Sequence, residues 1–172
     1  MCMRARAAVL RILHLAGPLL VAAVAAAPAA RAEVVNAPAV PSAVLAGTGI
    51  LNDVVAISAG DTWAVGRSGS LADPKTLVEH WDGTAWRRVG VSPKSGWLDG
   101  VAATSARDVW AVGFSGTTFG ARALILHFNG TAWRRVASPA LGRRGVLVDV
   151  AAVSRRDAWA VGQAGQRNLI EH

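Results

Sequence analysis

The feature that most constrains this chain is a six-residue motif, Asp-x-Trp-Ala-Val-Gly, which occurs three times at nearly even spacing. Its copies are residues 61–66, 108–113 and 157–162, so neighbouring motif tryptophans are 47 and 49 residues apart. Three upstream positions keep the same separations: Leu51, Leu98, Leu147; Val54, Val101, Val150; Ser58, Ser105, Ser154. Self-similarity at one period indicates an array in which each repeat is one supersecondary unit.

Each repeat divides into four short strand-like segments separated by turn residues. In the first repeat they are 51–58, 62–66, 76–81 and 85–89. Asp82-Gly83 lies between the last two segments, and the next repeat has Asn129-Gly130 there, which predicts a hairpin with a type I′ turn. After the N-terminal segment, no stretch has helical periodicity.

Four antiparallel strands in 40 to 50 residues is about the size of one β-propeller blade. The third segment is apolar on both faces, as expected for a sheet covered on both sides. We therefore predict an all-β fold of propeller-type blades, each of four antiparallel strands. About two and a half blades are present: 51–97, 98–146 and a partial blade 147–172.

The motif, followed by L-[VI]-x-H-[WF]-[DN]-G-T-A-W, resembles the repeats of secreted bacterial β-propeller proteins, a group loosely placed with kelch and galactose-oxidase-like propellers. The resemblance covers residues 51–172 and implies the fold without implying a function. Residues 82–86 also partly resemble the Asp-box turn of sialidase-type propellers. They lack its spacer between Asp and Gly, so we infer no sialidase activity.

The N-terminus predicts a secretory signal peptide, residues 1–32. Arginines precede the apolar run 12–27, and Ala30-Arg31-Ala32 is a small-x-small cleavage site. The run is short for a membrane span, although an uncleaved N-terminal anchor is the alternative. The mature protein would be secreted, with no stable membrane anchor, and would begin with an Ala-, Pro- and Val-rich linker, residues 33–50.

After cleavage, 14 Lys and Arg stand against 11 Asp and Glu, a formal charge of +3, which indicates no particular partner. Cys2 is the only cysteine and lies in the signal, so a disulfide or thiolate metal site is excluded from the mature chain. The chain has no tyrosine, which excludes a galactose-oxidase-type copper site and a sialidase-type nucleophile. No cofactor-binding motif is present, and no basic cluster interleaved with aromatics indicates nucleic acid.

A single-chain propeller has four to eight blades, so fewer than three leave apolar blade faces uncovered. We expect a fragment or a prematurely terminated longer protein, several chains that close a ring by self-association through open blade edges, or a partial or non-propeller arrangement.

The repeated aspartates and histidines have structural and functional interpretations. Asp61, Asp108 and Asp157 precede a strand, where we expect them to cap backbone N–H groups; a cation or sugar site is the alternative. His80, His127 and His172 occupy equivalent positions in different blades, so they should not converge on one metal. We predict hydrogen-bonded histidines between blades.

Five of the seven tryptophans occupy repeat-equivalent positions, as packing residues do, and Trp81 is matched by Phe128. Trp97 alone falls outside this pattern, in a predicted loop between blades, and is our one candidate binding residue. We expect a secreted, non-catalytic protein that binds a protein, glycan or cell-envelope ligand. The alternatives are a fragment of an extracellular propeller hydrolase or lyase whose catalytic blades are absent here, and a gene remnant without function.

Overall fold

The computed structural model describes residues 48–116, 120–138 and 144–172. The chain divides into two units, residues 1–40 and 41–172, and the described residues all belong to the second. The predicted signal, residues 1–32, and most of the linker lie outside them. The described residues contain strands and no helix. The strands are β1 (Gly49–Ser58), β2 (Asp61–Gly69), β3 (Pro74–Trp81), β4 (Trp86–Arg88), β5 (Trp97–Ser105), β6 (Asp108–Ser115), β7 (Arg122–Phe128), β8 (Trp133–Val136), β9 (Gly145–Ser154), β10 (Asp157–Ala164) and β11 (Arg167–Glu171).

Each repeat forms one antiparallel sheet in which sequential strands are neighbours. The first sheet is β1-β2-β3-β4, the second is β5-β6-β7-β8, and the third has the order β11-β10-β9. The predicted all-β fold with one blade-like, four-stranded sheet in each complete repeat is confirmed. Strand β1 begins at Gly49, so the linker ends before the predicted residue 50. The β2–β3 connection is only residues 70–73, because β2 stays paired with β3 as far as Gly69.

The motif glycine is required by a close approach of the backbone. A Cβ atom on Gly66, Gly113 or Gly162 would lie 2.0 Å from a carbonyl oxygen of the first strand of the same sheet. The pairing register shifts beside this contact, between Leu98 and Gly100 in the second sheet. A β-bulge of this kind brings one backbone against the other, and only glycine fits there.

The sheets pack in chain order through their first strands. Strand β5 contacts β1, β2 and β3, and β9 contacts β5, β6 and β7. We call the contact of the first and second sheets the first interface, and the contact of the second and third sheets the second interface. The first interface buries, among others, Trp63, Val65, Val78, Leu98, Val101, Leu124 and Trp133. The second buries Val112, Ala123, Ile125, Leu147, Val150, Ala160 and Leu169. Burial of these apolar side chains is the main stabilising contribution.

The hairpin between the third and fourth strands differs from the predicted type I′ turn. Gly83 and Gly130 have φ of 90° and 94°, but no described non-glycine residue has a positive φ, which a type I′ turn requires before the glycine. Instead, Asp82 Oδ1 accepts hydrogen bonds from the backbone N–H groups of Thr84 and Ala85, both at 2.9 Å. The side chain therefore closes a longer loop as an Asx-turn.

Asn129 repeats this arrangement, accepting from the N–H groups of Thr131 and Ala132 at 3.0 and 3.1 Å. Either Asp or Asn can occupy this position, because the turn requires only the Oδ1 atom that both side chains have. Asp82 has a further contact, since its Oδ2 accepts from Arg87 Nε at 2.7 Å. Hydrogen bonds from Arg87 and from the turn lower the pKa of Asp82.

Candidate functional site

An aspartate, a histidine and a tryptophan form the same cluster in each repeat. In the first, His80 Nε2 lies 2.8 Å from Asp61 Oδ1, and the Trp63 ring stacks on the His80 ring at 4.1 Å between centroids. The second and third repeats contain the pairs His127–Asp108 at 2.6 Å and His172–Asp157 at 3.0 Å, with Trp110 and Trp159 stacked on the histidines at 4.1 and 4.2 Å.

Strand pairing builds these clusters. Trp63 and His80 are direct cross-strand partners in β2 and β3, so their rings lie on the same face of the sheet. The predicted capping role of the aspartates is wrong, because their carboxylates face histidines. The repeated serine caps the turn instead: Ser58 Oγ accepts from the Gly60 N–H at 3.2 Å. The sequence signal for the pairing is the constant separation of Asp and His in the two complete repeats.

Aspartate and histidine are the residues of each cluster best suited to acid–base chemistry, and in every repeat they contact each other. Asp108 is fully buried and also accepts a hydrogen bond from Thr104 Oγ1. Each histidine is paired with the aspartate of its own sheet, and the described residues contain no group of three His, Cys, Asp or Glu able to hold a metal ion. The arrangement positions a histidine ring under a tryptophan, which rigidifies the sheet.

Trp97 does not lie in the loop where the sequence placed it. It is the first residue of β5 and is paired with Phe114, and the centroids of the two rings are 5.5 Å apart. The Arg67 guanidinium carbon lies 4.2 Å from the centroid of the Trp97 ring, a cation–π distance. The ring is therefore half-buried between side chains of the first and second sheets. Its role as a ligand contact stays a prediction.

Near Trp97, three hydrogen bonds cross the first interface, one of them a 3.3 Å contact from Asn52 Nδ2 to Asp99 Oδ1. Asn52 Nδ2 donates to the Leu98 carbonyl at 2.8 Å, and the Val101 N–H donates to Asp53 Oδ2 at 2.8 Å. Burial raises the pKa of Asp99, and the neighbouring Trp97 side chain partly offsets this. The first interface therefore combines polar contacts between β1 and β5 with a core of apolar side chains.

A cleft of about 620 Å³ lies at the outer part of the first sheet. Its lining combines strands β2 to β4 with the segment that leads to β5: Ser68, Lys75, Thr76, Arg88, Val89, Gly90, Val91 and Lys94. Three of these side chains are cationic and none is acidic, although two carboxylates lie outside the lining: Asp73 binds Lys75 at 2.6 Å, and Glu79 is the cross-strand partner of Arg88. The cleft therefore favours an anionic ligand.

The segment that leads to β5 forms one wall of the cleft, and individual hydrogen bonds to β3, rather than a paired strand, hold it in place. Thr76 Oγ1 donates to the Pro93 carbonyl at 2.7 Å, and the Thr76 N–H donates to the Lys94 carbonyl at 2.9 Å. The Gly96 N–H donates to the Pro74 carbonyl at 3.0 Å, so the wall runs directly into Trp97. The contacts position Lys94 opposite the sheet.

Sequence reasoning missed this cleft because its cations are separated along the chain and meet only through strand pairing. One signal was available. Lys75 and Lys94 are the only two lysines of the chain, and both line the cleft, whereas arginines are spread over all repeats.

Comparison with protein-family models, with curated proteins and with solved structures finds no match. Among the residues that the structure describes, no helix is long and apolar enough to span a membrane.

Proposed function

We propose that this chain is a secreted, non-catalytic binding protein of the β-propeller type, and that the cleft around Lys75, Arg88 and Lys94 binds an acidic glycan of the cell envelope. The observation that carries the proposal is the cleft itself, where both lysines of the chain and one arginine surround about 620 Å³. The ligand carries carboxylate, sulfate or phosphate groups, which cationic side chains recognise.

The repeated Asp–His–Trp cluster supports a non-catalytic role. Active sites depend on a residue set that departs from its surroundings, whereas these groups make the same contact in three sheets. The histidine ring is held by its aspartate on one side and covered by tryptophan. These side chains therefore contribute to packing and orientation rather than to proton transfer with a substrate.

Binding of the purified full chain to acidic glycans and to their neutral counterparts tests the proposal. We expect binding only to the acidic set, decreasing as salt is added, because salt screens exposed charges. The double variant Lys75→Gln/Lys94→Gln should bind at least about fivefold more weakly, since each lost cation removes a charge-assisted contact. Equal binding of acidic and neutral glycans would contradict the proposal.

Arg88 offers a matched control, because Arg135 is its counterpart in the second sheet and does not line the cleft. Arg88→Gln should weaken glycan binding, and Arg135→Gln should leave it unchanged. Trp97→Ala tests whether Trp97 contacts the ligand. A loss of glycan affinity at unchanged stability supports a ligand contact, and a loss of stability alone identifies a packing residue.

Secretion is tested separately. Sequencing the N-terminus of the protein recovered from culture medium should give Glu33 as the first residue, because cleavage is expected after Ala32. A retained Met1 on membrane-bound protein would identify the uncleaved anchor instead.

A further inference from the structure

One residue beside the cationic cleft departs from the repeat. The third strand of each sheet has a cation paired with the end of the second strand: Lys75, Arg122 and Arg167. Two residues earlier the first repeat has Asp73, whereas the second and third repeats have Gly120 and Gly165. The cation is thus repeated in every sheet, and the acid beside it occurs only in the sheet that carries the cleft.

The short β2–β3 connection, residues 70–73, holds Asp73 beside Lys75. The Asp73 N–H donates to the carbonyl oxygen and to Oγ of Ser70, at 3.2 and 3.1 Å. Lys75 Nζ donates to Asp73 Oδ1 at 2.6 Å, and both side chains are exposed. Gly69 precedes the connection with a φ of 78°, and a Cβ there would lie 2.6 Å from the Asp73 carbonyl oxygen. The connection is therefore tightly closed, and its acid compensates the Lys75 charge next to the cleft.

Arg88 is compensated by a second carboxylate. Its Nη2 donates to Ser68 Oγ at 2.6 Å, and Glu79 is its cross-strand partner. Ser68 and Glu79 are both buried, so they hold the guanidinium group from the sheet. Burial raises the pKa of Glu79, and the Arg88 charge opposes this effect.

Lys94 differs from the other two cations of the cleft. Among the described residues, no carboxylate lies within ion-pair distance of its ammonium group. Its carbonyl oxygen accepts from the Thr76 N–H at 2.9 Å, which fixes its backbone against β3. The cleft therefore presents one uncompensated positive charge to a ligand, although three cationic side chains line it.

We propose that Asp73 determines which acidic glycan the cleft accepts: one with isolated carboxylates rather than a densely sulfated or phosphorylated one. This inference rests on the proposed function of the cleft. A single carboxylate binds between Lys94 and Arg88, whereas a second anionic group close to it meets Asp73 and is repelled. Repulsive groups of this kind separate a correct ligand from a similar competitor.

Two forms of one carboxylate-bearing glycan, equal in length, test the proposal: the unsulfated form and its chemically sulfated derivative. Calorimetric titration of the purified full chain with each form gives the ratio of the two affinities. We expect the wild type to bind the unsulfated form at least as tightly as the sulfated form.

Asp73→Asn should bind the sulfated form about fivefold more tightly than the wild type does, which is the upper range for an exposed ion pair. Its affinity for the unsulfated form should stay within about twofold, because that ligand does not approach Asp73 and distant exposed charges are screened. Asp73→Gly, which copies the second and third repeats, should change the ratio in the same direction.

Asp82→Asn is the matched control. It removes the same charge from an exposed side chain of the same sheet, and Asp82 does not line the cleft. We expect it to leave the ratio of affinities unchanged. Equal gains for Asp73→Asn and Asp82→Asn, or equal gains for both forms of the glycan, would show a general effect of net charge and would overturn the role of Asp73.

The titration also distinguishes this inference from the proposed function. If the wild type prefers the sulfated form and Asp73→Asn does not change that preference, the role of Asp73 is wrong and the binding of acidic glycans stands. If neither the wild type nor Asp73→Asn binds either form, the proposed function itself is wrong.

Discussion

The second repeat and the two outer repeats place the same side chains in different surroundings. Leu98 is 0% exposed because the first sheet covers it, but its counterpart Leu51 is 44% exposed. Val112 is 0% exposed beneath the third sheet, while its counterpart Val161 is 42% exposed. Local strand geometry is repeated, so the difference comes from the neighbouring sheet alone. The comparison shows that each repeat carries apolar side chains on both faces of its sheet, which suits a sheet packed between two neighbours.

The largest expected effect contrasts the same deletion in covered and uncovered positions. Leu98→Ala should lower the free energy of unfolding by about 3–4 kcal/mol, because it leaves a cavity in the first interface. Leu51→Ala should cost less than about 1 kcal/mol, since its side chain already meets solvent. Urea denaturation of the full chain measures both. Equal costs would mean that the first face is covered in solution.

A second pair separates contacts within a sheet from contacts between sheets. Gly113→Ala and Gly162→Ala should each cost about 2–3 kcal/mol, because the new Cβ meets a carbonyl oxygen within the same sheet. Gly90→Ala is the control, since a Cβ there meets nothing within 4 Å, and should stay within about 0.5 kcal/mol. If Gly162→Ala were tolerated and Gly113→Ala were not, neighbouring sheets would determine even this local contact.

Removing the aspartate of an Asp–His pair should also cost more stability in the second repeat than in the third, although the costs are smaller than those above. Asp108→Ala leaves His127 without its partner in a buried setting and should cost about 2 kcal/mol. Asp157→Ala should cost less than about 1 kcal/mol, because the side chains of both Asp157 and His172 are about half exposed. Thermal unfolding checks the two variants. A larger loss for Asp157→Ala would contradict the dependence on burial.

The smallest effect concerns Asp82, which is exposed in an outer repeat. Its pKa is lowered in the folded protein, so its contribution is present above the ordinary aspartate range and is lost as the pH falls through that range towards the folded-state pKa. Asp82→Asn should keep the Asx-turn, as Asn129 does, and remove only this acid-dependent contribution. Unfolding measured from neutral to acidic pH should therefore show a slightly flatter pH dependence for the variant. An unchanged acidic limb would exclude the Asp82–Arg87 contact as its cause.

Much of the fold was accessible from the sequence because the period, the alternation within strands and the turn residues agree in every repeat. The turn type was mispredicted, since Asp82-Gly83 is also the start of an Asx-turn and dipeptide identity does not distinguish the two. The Asp–His pairing was missed although its spacing recurs, because capping by Asp is the commoner role before a strand. The cleft joins residues from different strands, which spacing alone cannot bring together.

The amino-acid sequence alone predicts three homologous units, each a meander of short strands, and the location of nearly every strand. Strand formation depends on neighbours along the chain and on the next hairpin, and both are encoded locally. Packing of the sheets against one another determines which copy of a repeated residue is buried and which histidine is shielded from solvent. Those properties depend on the sheet packed against each face. Because the repeat is nearly the same in each unit, its sequence does not indicate whether a neighbouring sheet is present.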